Sequence, residues 1–157
     1  MNIVVMGAGA IGSLYGGLLA KKNTVVLIGR KPHITVIQQK GLTIKGKTRL
    51  SVKILAMEST QDLPFTPDLV LLTVKSFDTE TATTQILPKL DKKTIVVSLQ
   101  NGLGNIEKIE QIVKRDHLLA GVSTQGALLS KPGEITHTGK GKTILGELDG
   151  QQSKRLE

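Results

Sequence analysis

Residues 7 to 12 read Gly-Ala-Gly-Ala-Ile-Gly, and this GxGxxG lies directly between a short apolar run, Asn2 to Met6, and an amphipathic stretch. The run is β-rich and stops at Gly7, as a strand buried on both faces does. Beyond it Ile11, Leu14, Tyr15, Leu18 and Leu19 recur at i, i+3, i+4, i+7 and i+8, which is one face of a helix. A strand, a glycine turn and a helix in immediate succession restrict the chain to very few folds. In that setting Gly7 permits the tight turn, the bare Gly9 lets backbone N–H groups approach a pyrophosphate, and Gly12 lets the helix lie against the sheet. Gly7, Ala8, Gly9, Ala10, Ile11 and Gly12 are therefore the expected phosphate-binding turn, helped by the partial positive charge of the helix N-terminus. The plain alternative is a glycine turn that serves packing alone; the flanking strand and helix weigh against it. Gly16 and Gly17, inside the helix, are expected to be packing positions.

The remaining pattern continues the alternation. Thr24 to Ile28 reads as a second strand, broken by Gly29-Arg30-Lys31-Pro32. A short helix over 33–40 follows, then a hairpin from Leu42–Ile44 and Leu50–Ile54, expected at an edge. Asp68 to Val74 and Thr94 to Leu99 are continuous buried-strand patterns. Between them Asp78 is placed to cap a helix that Pro88 ends or kinks. A helix over about 105–114 and a strand at Leu118–Thr124 come next. Glu134–Thr138 and Lys142–Leu145 read as short antiparallel strands joined through Gly139 and Gly141. Strands alternating with helices predict an α/β, doubly wound, Rossmann-type sheet, mostly parallel, with helices on both faces and short antiparallel strands near the carboxyl end. A length of 157 residues suits one such domain.

Cofactor choice is read at the end of the second strand. Folds that prefer NAD place an acid there, about 20 residues past the glycines, to accept from the ribose 2′-hydroxyl. Here that position offers Arg30 and Lys31, Arg30 lying 18 residues after Gly12. A guanidinium can fork onto a 2′-phosphate and stack on adenine, so NADP(H) is the expected cofactor. The alternative is an exposed basic turn, which weighs as much as function for Lys31 and less for Arg30. With no cysteine, the chain has no thiolate nucleophile and no cysteine-ligated metal, and no metal site is expected. A net charge of +8 admits nucleic acid as a partner, but the basic residues are scattered and only Tyr15, Phe65 and Phe77 could stack on bases, so nucleic acid is not expected. No apolar run is long enough for a membrane span, and the opening residues lack a basic leader region, so a cytoplasmic location and no membrane partner are expected.

Thr73-Val74-Lys75-Ser76 closes a predicted parallel strand at the edge where open α/β sheets bind ligands, Ser98-Leu99-Gln100-Asn101-Gly102-Leu103-Gly104 closes the strand after it, and Gly121-Val122-Ser123-Thr124-Gln125-Gly126-Ala127 follows later in the chain. Lys75 can attract phosphate, or be a solvated loop lysine. Asn101 carries a carboxamide that both donates and accepts, or simply occupies a turn. Taken in order with GAGAIGSLYG, Gly29-Arg30 and Pro132-Gly133-Glu134-Ile135-Thr136-His137-Thr138-Gly139, these motifs span almost the whole chain, and together they resemble the amino-terminal domain of the ketopantoate reductase (2-dehydropantoate 2-reductase) family. The resemblance implies reduction of 2-dehydropantoate to pantoate with NADPH, on the route to pantothenate and coenzyme A. It implies that Arg30 meets the 2′-phosphate, that Lys75 helps hold the adenosine end, that Asn101 lies near nicotinamide and substrate, and that Ala127 lines the nicotinamide side. His137 is expected to be structural.

In that family the general-acid lysine and the contacts to the substrate carboxylate belong to a helical carboxyl-terminal domain. The expected domain organisation is thus one dinucleotide-binding domain over 1–157, with that second domain absent from the chain and the polar stretch Gln151 to Glu157 reading as an interruption. Without a proton donor for the developing alkoxide, turnover should drop on the order of a hundredfold or more, so the chain alone is expected to bind cofactor with negligible turnover. Two other readings stand beside this one: an NADP-dependent reductase of another small 2-ketoacid, and a non-catalytic dinucleotide-sensing module. Loss of a partner domain would uncover apolar surface, so a homodimer is the protein partner to test for.

Overall fold

The computed structural model describes residues 1–156; Glu157, the last residue of the expected domain, lies outside the described residues. The first strand, β1 (Asn2–Met6), runs into the glycine turn and helix α1 (Ala10–Leu19), and β2 (Thr24–Ile28) returns beside β1. Helix α2 (Lys31–Lys40) starts one residue after Arg30. Pro32 sits in its first turn, which needs no N–H from proline, so the helix starts two residues earlier than the expected 33. Strands β3 (Leu42–Gly46) and β4 (Leu50–Val52) form the expected hairpin, and β5 (Leu55–Met57) follows.

The second half contains β6 (Leu69–Leu72), a 3-10 turn at Ser76–Asp78, α3 (Thr79–Ile86), a second 3-10 turn over Leu87–Lys89 that includes Pro88, and β7 (Ile95–Ser98). Helix α4 (Asn105–Glu110) is shorter than the periodicity predicts. The chain ends with β8 (Leu118–Ser123), β9 (Gly126–Lys131), β10 (Glu134–Gly139), β11 (Thr143–Gly146) and a 3-10 turn at Lys154–Leu156.

A seven-stranded sheet carries the order β11-β8-β7-β6-β1-β2-β5. Every pair in it is parallel except β8–β11. The chain winds outward from β1 to β2 and β5 on one side, then crosses to β6, β7 and β8 on the other, so the strand order reverses between β1 and its neighbours. Register places Met6 level with both Ile28 and Leu72, which brings the carboxyl ends of the three central strands to one line. An open sheet binds its ligand at such a switch point.

One face of the sheet, with Ile3, Val5, Leu27, Leu71 and Val97, packs on Leu14 of α1 and on Ile34 and Ile37 of α2. The other face, with Val4, Val26, Val70 and Val96, packs on Ala82 and Ile86 of α3 and on Ile109 of α4. Alternate residues of each strand thus enter opposite cores, which is why these strands are apolar throughout and show no period of two.

Two features of the chain depend on a second sheet that the sequence pattern does not predict. The hairpin β3–β4 does end at a sheet edge, with β4 outermost, but the sheet is a second, four-stranded one ordered β4-β3-β10-β9 and not the main sheet. Leu42 and Ile44 of β3 are buried while Lys45 stays exposed, so one face of the hairpin packs inward against α1, where the bare Gly17 receives both apolar side chains. The last two strands do not pair with each other. β10 lies between β3 and β9, whereas β11 pairs antiparallel with β8 in the main sheet. The chain changes sheets at Gly141, which sits so tightly on the Thr124 carbonyl that a side chain there would collide with it.

Candidate functional site

At the carboxyl ends of β1, β2 and β6 the surface opens into a cleft of about 610 Å³. Its floor is the glycine turn. Gly7 has φ +109°, a left-handed value that favours glycine, and its N–H together with that of Ala8 bonds to the Ile28 carbonyl at 2.9 and 2.7 Å. The Thr73 hydroxyl donates to the Gly7 carbonyl at 2.8 Å, which ties the turn to the end of β6. Gly12 lies against that same carbonyl and hydroxyl, so any side chain there would push α1 off the sheet.

Gly9 differs from both. Its φ of −79° and ψ of −163° suit any residue, and a Cβ built on it would meet nothing within 4 Å. Neither backbone conformation nor packing requires glycine at this position; a Cβ would instead project into the cleft. Helix α1 begins immediately after it without a side-chain cap. Ala10, Ile11 and Gly12 thus present N–H groups with no acceptor among the described residues. A bare surface of unpaired donors at a helix N-terminus fits a pyrophosphate.

Arg30 and Lys75 line the same cleft, each the residue just before a helical turn, α2 for Arg30 and the 3-10 turn for Lys75. Both side chains are at the surface. Arg30 Nη2 lies 3.5 Å from Asp78 Oδ2 across the opening. Asp78 occupies the N-cap position of α3 but makes no capping bond, contrary to expectation. The preceding 3-10 turn leaves it at ψ 1°, outside the extended conformation from which a cap side chain reaches back to the helix N–H groups. Glu58, one residue beyond β5, adds a second carboxylate to the walls.

Asn101 and Ala127 do not line this cleft. Asn101 is exposed in the turn after β7, and its carbonyl accepts from Asn105 Nδ2 at 3.0 Å. Ala127 is half-buried on β9, against the core beneath α1. The structure thus joins Gly7 to Ala10, Arg30 and Lys75 in one cleft, leaves Ile11 and Gly12 outside its lining, and sets Asn101 and Ala127 apart from it.

Three residues that the sequence reading did not single out for the site hold it in place. His33, on α2, is buried and accepts from the Gly133 N–H through Nδ1 at 3.0 Å. Its Nε2 therefore carries the proton and donates to Ser13 Oγ of α1, also at 3.0 Å. One imidazole so links α1, α2 and the β9–β10 turn, and burial holds its pKa below the ordinary histidine value. Gln100 donates to the Val74 carbonyl at 2.9 Å and to Thr79 Oγ1 at 2.7 Å, joining the end of β7 to the Lys75 turn. Asn105 is buried and reaches the carbonyls of Asn101 and Gly102. His33 had no local signal, because its partners lie 20 and 100 residues away.

His137 is structural, as expected. It is buried, Thr48 Oγ1 donates to its Nδ1 at 2.9 Å, and its Nε2 lies 3.0 Å from both Gln125 Oε1 and the Gly139 carbonyl. Among the described residues no cluster of His, Asp and Glu could hold a metal ion, and no helix is long and apolar enough to cross a membrane.

Residues 3–150 match the family described as Ketopantoate reductase PanE/ApbA. Over the whole chain it is 43% identical to a 2-dehydropantoate 2-reductase from Pyrococcus abyssi, of which it covers 51%. The crystal structure of a 2-dehydropantoate 2-reductase from Geobacter metallireducens GS-15 is similar with a TM-score of 0.91 and 28% identity, covering 99% of this chain and 52% of that one. D-mandelate dehydrogenase in complex with NADH is similar at a TM-score of 0.87 and 30% identity, covering 99% of this chain and 51% of that one. The chain spans about half the length of the curated relatives it matches.

Proposed function

Because the chain belongs to the ketopantoate reductase PanE/ApbA family, we propose that it is the NADP-binding domain of a 2-dehydropantoate 2-reductase, which reduces ketopantoate to pantoate. The observation that carries this reading is Gly9, a glycine for which the protein itself has no use, set between unpaired helix donors and the guanidinium of Arg30.

When bound, a reduced nicotinamide supplies the hydride that a keto carbon accepts. The chain's own residues do the rest of the work on this side of the reaction. The N–H groups that open α1 hold the pyrophosphate and exclude water from it. Arg30 forks onto the 2′-phosphate, and Lys75 adds a second positive charge at the adenosine end. Gln100 and Asn105 fix the turn that carries Asn101, whose carboxamide orients the cofactor amide or the substrate carbonyl. Ala127 lines the nicotinamide side. The general acid is supplied from outside these 157 residues, so the chain by itself binds cofactor with negligible turnover. A cytoplasmic setting and a homodimeric assembly belong to the same proposal.

Titrating the chain with NADPH and NADH by nucleotide fluorescence tests the reading. NADPH should bind more tightly. Arg30→Ala should weaken NADPH about tenfold or more, the value of one charge-assisted hydrogen bond, and leave NADH nearly unchanged. Equal affinities for the two would remove the NADP assignment.

A second reading is a reductase of another 2-ketoacid, favoured by the likeness to D-mandelate dehydrogenase. Fusing the chain to the remaining half of the P. abyssi relative and comparing kcat/KM for ketopantoate and phenylglyoxylate distinguishes the two.

A further inference from the structure

Arg30, the residue on which the NADP reading depends, does not face the cleft as an unopposed charge. Its partner at 3.5 Å is Asp78, and the two come from opposite sides of the opening, Arg30 from the end of β2 and Asp78 from the turn after β6. Their side chains are 84% and 42% exposed, and an ion pair so placed adds little to stability. Asp78 makes no cap bond to α3. A carboxylate that contributes little to the fold and caps no helix acts mainly on whatever enters between it and Arg30.

We propose that Asp78 is a specificity-determining residue that opposes Arg30 and narrows the preference of this site for a 2′-phosphorylated dinucleotide over a 2′-hydroxyl one. The inference rests on the cofactor reading above. A 2′-phosphate reaching Arg30 competes with the Asp78 carboxylate for the guanidinium and remains beside a like charge. A ribose 2′-hydroxyl displaces nothing, and it can donate a hydrogen bond to that carboxylate. The cleft walls carry the cations Arg30 and Lys75 against the carboxylates Asp78 and Glu58, which balance formally, two against two. The charged lining of the folded chain is therefore formally neutral beside the basic Arg30-Lys31 step of the sequence. Of the two acids, Asp78 is the one paired with Arg30, so its charge has the larger effect on the 2′ position.

Asp78→Asn removes the charge and keeps the shape. In the 157-residue chain it should tighten NADPH about five- to tenfold, the effect of one nearby surface charge, while NADH stays level or weakens. Asp78→Glu, which keeps the charge, should retain the wild-type ratio of the two affinities. Titration with 2′-AMP and 5′-AMP isolates the adenosine end, and Asp78→Asn should tighten only the former. An unchanged NADPH-to-NADH ratio in Asp78→Asn, or equal shifts for both cofactors, overturns the inference while the cofactor reading stands. Failure of the wild-type chain to bind either dinucleotide overturns both together.

Discussion

The strongest test of the site separates two glycines of one motif. Substituting Gly9 with alanine adds a methyl group where nothing lies within 4 Å, at backbone angles that alanine adopts freely. Alanine is a poorer N-cap than glycine by about 0.5 kcal/mol or slightly more, but it also restricts the unfolded chain, which returns about 0.4–1 kcal/mol. The two effects nearly cancel, so the melting temperature should stay within a few degrees of wild type. Binding is another matter. The methyl occupies the space through which a phosphate oxygen reaches the N–H groups of Ala10 and Ile11. Loss of even one charge-assisted hydrogen bond costs about 1.5–3 kcal/mol, hence roughly ten- to a hundredfold in NADPH affinity. Circular dichroism melts and NADPH fluorescence titration on the same preparation read both quantities. A Gly9→Ala chain that melts normally and binds NADPH as tightly as wild type would refute the phosphate cradle. A chain that no longer folds would refute the claim that the protein leaves this space open.

Gly12→Ala should behave in the opposite sense, because its methyl meets the Gly7 carbonyl and the Thr73 hydroxyl. Overpacking of this kind costs about 1–3 kcal/mol, visible in the same melts as a fall of several degrees. His33→Leu strands the Gly133 N–H and the Ser13 hydroxyl, so urea unfolding should show a loss of roughly 2 kcal/mol or more. His33 also predicts a pH dependence. Its folded pKa is lowered by burial, so the unfolded chain takes up the proton first. The neutral imidazole's contribution is complete above the ordinary histidine value and declines as pH falls below it, and the wild type should lose stability faster than His33→Leu between pH 7 and pH 5. Glu147, bonded by Arg155 and Ser153, is held down to about 2. Its contribution is present above the ordinary carboxylate range and is lost as pH falls through that range toward 2. Glu147→Gln should therefore accelerate amide exchange over 153–156 at neutral pH and make little difference near pH 2.

The parts of this molecule that were legible in sequence are those whose physics is local. The turn at Gly7 to Gly12 announces itself because a strand, three glycines and a helix must follow one another without a gap. The parallel strands at Asn2, Leu69 and Ile95 announce themselves because burial on both faces leaves polar residues only at their ends, Asn2 and Ser98. The second sheet was not legible. Nothing in Leu42 to Ile44 says that the strand will pair with Glu134 to His137, some 90 residues later, and that pairing alone turns an apparent edge hairpin into the floor under α1. Strand β5 was hidden for a similar reason: three residues, Leu55 to Met57, are too few for any period to register, and their place is set by β2 alongside.

The same distinction runs through the site. Arg30 could be found by counting from the glycines, because the distance along one βαβ unit fixes where the second strand ends. The charge that faces it could not. Asp78 lies 48 residues on, at a position whose local signal pointed to a helix cap, and only the parallel alignment of β1, β2 and β6 brings it opposite the guanidinium. The cleft's balance of charge is thus set by residues that no local motif groups together. The preference between a phosphate and a hydroxyl depends on the sum over neighbouring strand ends, and in a doubly wound sheet those ends come from segments far apart in the chain.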